Sequence, residues 1–374
     1  MKPVPPDQFK HVAPVHAVDC LAGLSPAIDA VAERAAPSHR FLRHGWFAAA
    51  LAAYGGTART LIVRRQDRPV LALPLVGHGP ARFRLASVPG CYWPFRSFPV
   101  GEDAGIEAAE ALLPRLAREV VALRLGPVHD GDPGFELLKA AALANGWTVI
   151  DRFIATSYLL DIDAARADSP WPRTSTLKKN RFHEKHLAGH GALDWGFVTG
   201  AAWTDAAFAA LAEIEEQSWI AARTDGRDAK FTPAGHGAFW RAAAQDPVIS
   251  AMMWAALLRV DGKPSAFSFD LNAGTLKYAI ANSFDPEFAR HSPGKLLYYR
   301  NLIRAVADGT ARVDWGAGDS GYKKVIGAAA GPAIRDWLFI RPGASGLAAR
   351  LLRGLWRRSG NPEAPAAAAE PDAE

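Results

Sequence analysis

Val313–Gly327 reads VDWGAGDSGYKKVIG. Within it, Gly316–Gly321 spells G-x-G-x-x-G, the spacing of a dinucleotide-binding turn. Asp336 stands where a ribose-binding carboxylate would follow. That chemistry needs more than glycines: a strand before them, a long helix after them and several further parallel strands. ARVDW supplies the strand. GYKKVIGAAAGPAI, however, is broken by Gly327, Gly331 and Pro332, and one strand, DWLFIRP, remains before an Arg-rich segment. The glycines are therefore read as a tight turn after a strand, not as a nucleotide fingerprint.

Immediately upstream, HSPGKLLYYRNLIRAVADG has helical spacing, with Ser292 at the N-cap position and Pro293 at the first helical one. Before it lie three extended segments, AMMWAALLRV, SAFSFDLN and LKYAIANSF, joined by the turns DGKP and AGT. Two helices, AAFAALAEIEEQSWIAA and HGAFWRAAAQD, come earlier still. The first half of the chain runs in the same order. Helices at LSPAIDAVAERAA and GWFAAALAAYGG precede the strands TLIVRR, PVLALPLVG and RFRLASV; then come helix EAAEALLPRLAREV, strand VALRLGPV, helix GFELLKAAALANGW and strand TVIDRFIATSYLLDI. TLIVRRQDRPVLALPLVG against WAALLRVDGKPSAFSFDLN gives the clearest internal match, and a structural repeat is expected.

The 374 residues, 49% hydrophobic and 22% charged, suit a globular chain of two domains. A net charge of +5 favours an anionic ligand such as a phosphate-bearing co-substrate and is too diffuse to argue for DNA. Cys20 and Cys91 have neither metal nor C-x-x-C spacing, so no disulfide framework is expected, in keeping with a reducing cytoplasm. MKPVPPDQFK lacks the apolar core of a signal peptide, and no apolar run is long enough to span a membrane. No G-x-S-x-G or H-E-x-x-H occurs, and His183–His186, HEKH, has the wrong spacing for a helical zinc pair, so no metal is expected.

The block from Ser292 to Gly327 resembles the BioF2-like/CelD-like acetyltransferases of the GNAT (Gcn5-related N-acetyltransferase) superfamily, relatives of the FemABX peptidyltransferases. The shared features are Ser292-Pro293-Gly294 with Leu296-Leu297, Gly309 at the helix end, Asp314-Trp315-Gly316 with Gly318-Asp319, and Tyr322-Lys323 before Gly327. TLKKNRFHEKHLAGHGAL, EIEEQSW and LRVDGKPSAFSF also fit, and the likeness extends over residues 20–340. It implies an α/β (α+β) fold of two tandem GNAT-like domains, each a mixed, largely antiparallel central sheet flanked by helices. Residues 21–160 would form a degenerate first domain that shapes the acceptor cleft, and 161–343 the acyltransferase domain. Flanking these, 1–20 is read as a loose N-terminus, 344–358 as a basic amphipathic helix suited to an anionic membrane face, and 359–374 as a disordered tail.

The resemblance implies direct acyl transfer from acyl-CoA, acetyl-CoA above all, as a co-substrate with no tightly bound cofactor. The acceptor would be an amine or hydroxyl of an envelope, polysaccharide or small-molecule type. The FemABX kinship offers a second donor, aminoacyl-tRNA, supported by the basic run Lys178, Lys179, Arg181, His183, Lys185 and His186; otherwise RNA is not expected. A non-catalytic scaffold of envelope assembly is the third reading. For the donor, Arg290, His291, Ser292, Gly294 and Lys295 supply charge and free N–H groups at a helix start. For the chemistry, which needs a base and polar groups around a developing oxyanion, the candidates are Asp314, Asp270 and Glu216 (one turn from Trp219), with Tyr322 as an acid toward the departing thiolate and Lys323 as a cation.

Overall fold

The computed structural model describes residues 16–91, 95–168, 170–218, 226–318 and 321–362. Trp219, Asp319 and the outer parts of both expected loose termini lie outside them. Twelve strands among these residues form one sheet: β1 (His16–Ala22), β2 (Ala58–Arg65), β3 (Arg68–His78), β4 (Leu85–Ser87), β5 (Ala122–His129), β6 (Thr148–Asp161), β7 (Leu193–Val198), β8 (Met253–Val260), β9 (Lys263–Ala273), β10 (Leu276–Phe284), β11 (Arg312–Ala317) and β12 (Ala329–Ile340). The first half carries helices α1 (Ala27–Ala32), α2 (His44–Tyr54), α3 (Ile106–Glu119) and α4 (Pro133–Ala144). Joining the halves are α5 (Ile162–Asp168) and α6 (Thr174–Leu187). The second half adds α7 (Asp205–Gln217), α8 (Gly237–Ala243), α9 (Pro247–Met252), α10 (Pro293–Ala307), α11 (Tyr322–Val325) and, last, α12 (Ala344–Arg358).

The strand order, β1-β2-β3-β4-β5-β12-β6-β11-β10-β9-β8-β7, reads the same from either end when each half is matched to the other. The repeat is thus a pseudo-two-fold, with the sixth strand of each half exchanged. β12 pairs antiparallel with β5 of the first half, and β6 pairs antiparallel with β11 of the second. The exchanged strands also pair with each other, from Ala329↔Leu159 to Ile340↔Thr148. Asp336, the residue that mimicked a ribose ligand, pins this exchange. It is wholly buried and lies 2.7 Å from both Arg124 of β5 and Arg152 of β6.

The core is likewise shared. Trp46 of α2 stands edge-on to Phe239 and Trp240 of α8, with ring centroids at 4.8 and 5.8 Å. Such aromatic contacts, worth about 0.5–1.5 kcal/mol each beyond burial, weld the halves rather than merely joining them.

Parts of both segments expected to be loose are ordered among the described residues. His16–Ala22, which begins inside the 1–20 stretch read as a loose N-terminus, is a strand in register with β2. Residues 359–361, read as the start of a disordered tail, hold on to β6 through Asn361 N–H to Phe153 O at 2.9 Å. Between them and the sheet, α12 lies along β6, with Arg152 stacked 4.1 Å over Trp356 and Arg357 paired to Asp151 at 2.8 Å. Among the described residues no helix is long and apolar enough to cross a membrane.

Candidate active site

Parallel strands β10 and β11 are paired over three residues only, Leu276↔Arg312, Lys277↔Val313 and Tyr278↔Asp314. Beyond that rung they part. The backbone groups facing the opening lose their ladder partners and are free to meet a ligand. β4 and β5 part in the same way after Ser87↔Arg124. There, however, the chain itself fills the opening: Val88 N–H bonds Arg124 O and Gly126 N–H bonds Arg96 O, while Phe95 and Phe98 are buried. The second half keeps its opening, as a cleft of about 810 Å³. This is within the range of small-molecule and cofactor sites, ~300–1,000 Å³.

The N-terminus of α10 forms the cleft's mouth. Ser292 sits at the N-cap position in the left-handed region, φ 50°, and its side chain makes no cap hydrogen bond, unlike the capping Ser expected from sequence. A non-glycine residue held there signals local strain, which often accompanies a ligand site. Gly294 allows a close approach: a Cβ would come within 2.2 Å of Asn282 Oδ1 and 3.1 Å of the Phe284 ring. Asn282 Nδ2 donates to Gly294 O at 2.9 Å, which fixes the helix start against β10. Lys295 also lines the cleft, and burial followed by the charge of Lys179 pushes its ammonium down. Burial, then Lys179 and Lys295, push the His183 imidazole down as well. Lys179 and His183 belong to α6, which Glu184 ties to Arg300 of α10 at 2.7 Å. A crowd of like charge beside open N–H groups favours a polyanion.

Inside the cleft, Tyr298, Trp315 and Tyr322 form a ring-lined wall: Tyr298 meets Trp315 at 5.3 Å and Tyr322 meets Trp315 at 6.0 Å. Burial, then neighbouring tyrosines, hold the Tyr298 phenol protonated. Lys323 is 4% exposed and donates to Gly316 O at 3.0 Å and Ala317 O at 2.8 Å, tying off the glycine turn. On the floor, Asp270 and Lys277 form an ion pair of 2.6 Å, with Asn301 donating to the carboxylate. Burial raises the Asp270 pKa and lowers that of Lys277, each opposed by the other's charge.

Of the ten residues singled out from sequence, Ser292, Gly294, Lys295, Asp270, Tyr322 and Lys323 line this cleft together. Arg290 and Glu216 are exposed and line neither it nor the cavity below. His291 turns away to His190, with 2.9 Å between their Nε2 atoms. Asp314 faces the other side of the sheet. Its Oδ1 accepts the Gly316 N–H at 2.7 Å, capping the glycine turn, and its Oδ2 lies 2.8 Å from Nε2 of His129. Sequence reading missed Asn282 and His129; the strand-ending HDGDPG at 129–134 was the available signal for the latter. No cluster of His, Cys, Asp and Glu suited to a metal occurs among the described residues.

Comparison with known proteins follows the same lines. Residues 174–324 match the model of the acetyltransferase (GNAT) domain. No curated protein matches the chain in sequence. Among solved structures, FemX is similar at 14% identity over 90% of this chain and all of its own, with a TM-score of 0.57. L-PGS from Bacillus licheniformis is similar at 10% identity, over 90% of this chain and 98% of its own, TM-score 0.51. A protein of unknown function from Bacteroides thetaiotaomicron shares 12% identity over 85% and 98%, TM-score 0.53.

Proposed function

We propose that this chain, which carries a GNAT domain within a FemX-like fold of two exchanged halves, transfers an acyl group from acyl-CoA to an amine or hydroxyl acceptor. The observation that supports it is the opened β10/β11 pair with a helix N-terminus at its mouth. The phosphates of the donor would meet the N–H groups of Gly294 and Lys295, with Lys179 and His183 beside them. Its amide-bearing arm would bond to the unpaired edge of β10, leaving the thioester carbonyl between the strands. Tyr322 would protonate the departing thiolate, and Asn282 and Tyr298, which line the same cleft, would offer donors around it. Asp270, neutralised by Lys277, serves as the floor rather than as a base.

The acceptor is of the envelope, polysaccharide or small-molecule kind. The outer part of α12, where Leu352 and Leu355 are exposed alongside Arg353 and Arg358, would bring the chain to an anionic membrane surface. One observation favours a second donor: the basic face of α6 extends the anion site beyond what a nucleotide needs, as aminoacyl-tRNA would require. Titration calorimetry separates the two. Binding of acetyl-CoA, lost in Gly294→Ala, supports the first reading. Failure to bind acetyl-CoA, together with salt-sensitive retention of tRNA, would replace it with the second.

A further inference from the structure

A second cavity, about 230 Å³, lies where the halves meet, on the opposite face of the sheet from α10. It backs onto the last paired rung of the opened strands, Tyr278–Asp314, whereas Ala279 and Trp315, the next residues along, line the donor cleft. One residue step, about 3.3 Å, therefore separates the two spaces along each strand. An acceptor attacking a thioester held between the strands has to come from the face the donor does not occupy, and this cavity is on that face.

Its chemistry comes largely from the first half. His129 ends β5 and reaches across the exchanged strands to place Nε2 2.8 Å from Asp314 Oδ2. The contact is close but not in line for a hydrogen bond, so the carboxylate acts on the ring through its charge, which favours the proton on Nε2 and leaves Nδ1 as the acceptor; among the described residues no hydrogen bond reaches Nδ1. His39 is engaged at both nitrogens: Nε2 hydrogen-bonds Asp132 at 3.0 Å and Nδ1 lies 2.9 Å from Ser38 Oγ, while Asp132 also accepts from Ser97 Oγ at 2.6 Å and caps α4 through Phe135 N–H. Burial pushes the Asp132 carboxyl up, but His39, Ser97 and Phe135 together hold it below its ordinary range. Tyr278, stacked on His129 at 6.5 Å, is kept protonated by burial and by Asp314 and Asp132.

We propose that this cavity receives the nucleophilic end of the acceptor and that His129, oriented by Asp314, is the base that takes its proton. The inference rests on the acyl-transfer reading above. The acceptor's O or N bonds to the acyl carbon and the C–S bond breaks; the acceptor's proton passes to His129 Nδ1 and then to solvent, while the thiolate takes the Tyr322 proton and leaves as CoA thiol, Tyr322 regaining a proton from solvent. The space is below that of a drug-sized site, ~300 Å³ upward. It is walled by Phe41 and Phe95 and furnished with carboxylates, imidazoles and hydroxyls, with Arg312 as its one lining cation among the described residues, which suits an uncharged or weakly basic group of about one sugar ring. The rest of a larger acceptor would remain outside.

The test uses the full chain, acetyl-CoA as donor and D-glucosamine as the acceptor probe, reading CoA release and, by calorimetry, acetyl-CoA affinity. Wild type accelerates release when glucosamine is added. His129→Gln and Asp314→Asn keep the acetyl-CoA Kd within about two-fold and lose at least ~100-fold of that release, the usual share of a general base. Asn at 314 still accepts from Gly316 N–H but offers His129 an amide, which favours the wrong tautomer. Added imidazole restores release to His129→Gly, which a merely structural role would not allow. Unchanged release in the first two variants overturns the base. No response of the wild type to glucosamine overturns the acceptor class. Absence of acetyl-CoA binding in the wild type overturns the donor reading and this inference with it.

Discussion

Replacing Asp270 by Asn tests whether this carboxylate is structural. Its pair with Lys277 is 2.6 Å long, and the two side chains are 3% and 1% exposed. Lys277 retains one other hydrogen bond, to Asn272 Oδ1 at 3.2 Å, and an amide at 270 leaves its ammonium without a countercharge. Breaking such a pair costs about 3–5 kcal/mol, because one charge stays buried alone. Unfolding gains roughly 2.1 cal/mol/K per residue, or about 0.8 kcal/mol/K for this chain, so the melting midpoint should fall by roughly 4–6 °C. Removing both charges, in Asp270→Leu with Lys277→Met, should recover most of that loss, since an apolar pair of similar volume is often neutral or better. Scanning calorimetry gives the midpoints, and CoA release from acetyl-CoA gives the activity. A single variant that melts with wild type yet no longer turns over would refute the reasoning and return Asp270 to the chemistry. A double variant no more stable than the single one would refute the assumed coupling.

Three further outcomes are expected. Gly294→Ala drives a Cβ into Asn282 and should weaken acetyl-CoA binding at least ~10-fold by calorimetry while shifting the melting midpoint little. Asp336→Ala removes the carboxylate shared by the partly exposed Arg124 and Arg152 and should cost about 1.5–3 kcal/mol, the range for hydrogen bonds to charged groups, seen as a lower urea midpoint at unchanged m-value. Burial, then Lys230, pulls the His236 imidazole from 6.5 down to about 4. The fold thus binds this proton less readily than the unfolded chain. The stability present above pH 6.5 is lost as pH falls toward 4, and His236→Gln should flatten that slope in urea melts.

Much of the fold was legible in the sequence because its signals are local. Gly55 ends α2 at φ 77°, Pro293 opens α10, and the matched hairpins announced the duplication. The exchange of β6 and β12 was not legible: alternation of apolar residues shows that a strand exists and which face it buries, not which neighbour it takes. β1 was missed because it is a half-covered edge strand with a weak pattern. In the site, the residues of the SPGK and YKK segments converge because one helix start and one turn carry them. Arg290 and His291 do not, because the 3-10 turn Pro286–His291 directs them elsewhere. His129 stands far along the chain from Asp314, and no spacing rule joins them.

The exchanged sixth strands also make the protein a natural two-piece lock. A chain cut in the connection after α5 would yield one fragment carrying β6 but lacking β12, and another carrying β12 but lacking β6. Each fragment would expose an unpaired edge, β5 in one and β11 in the other, that the strand held by its counterpart completes. Such fragments should be poorly soluble apart and reconstitute activity only together, so the chain is suited to serve as a split-enzyme reporter of proximity.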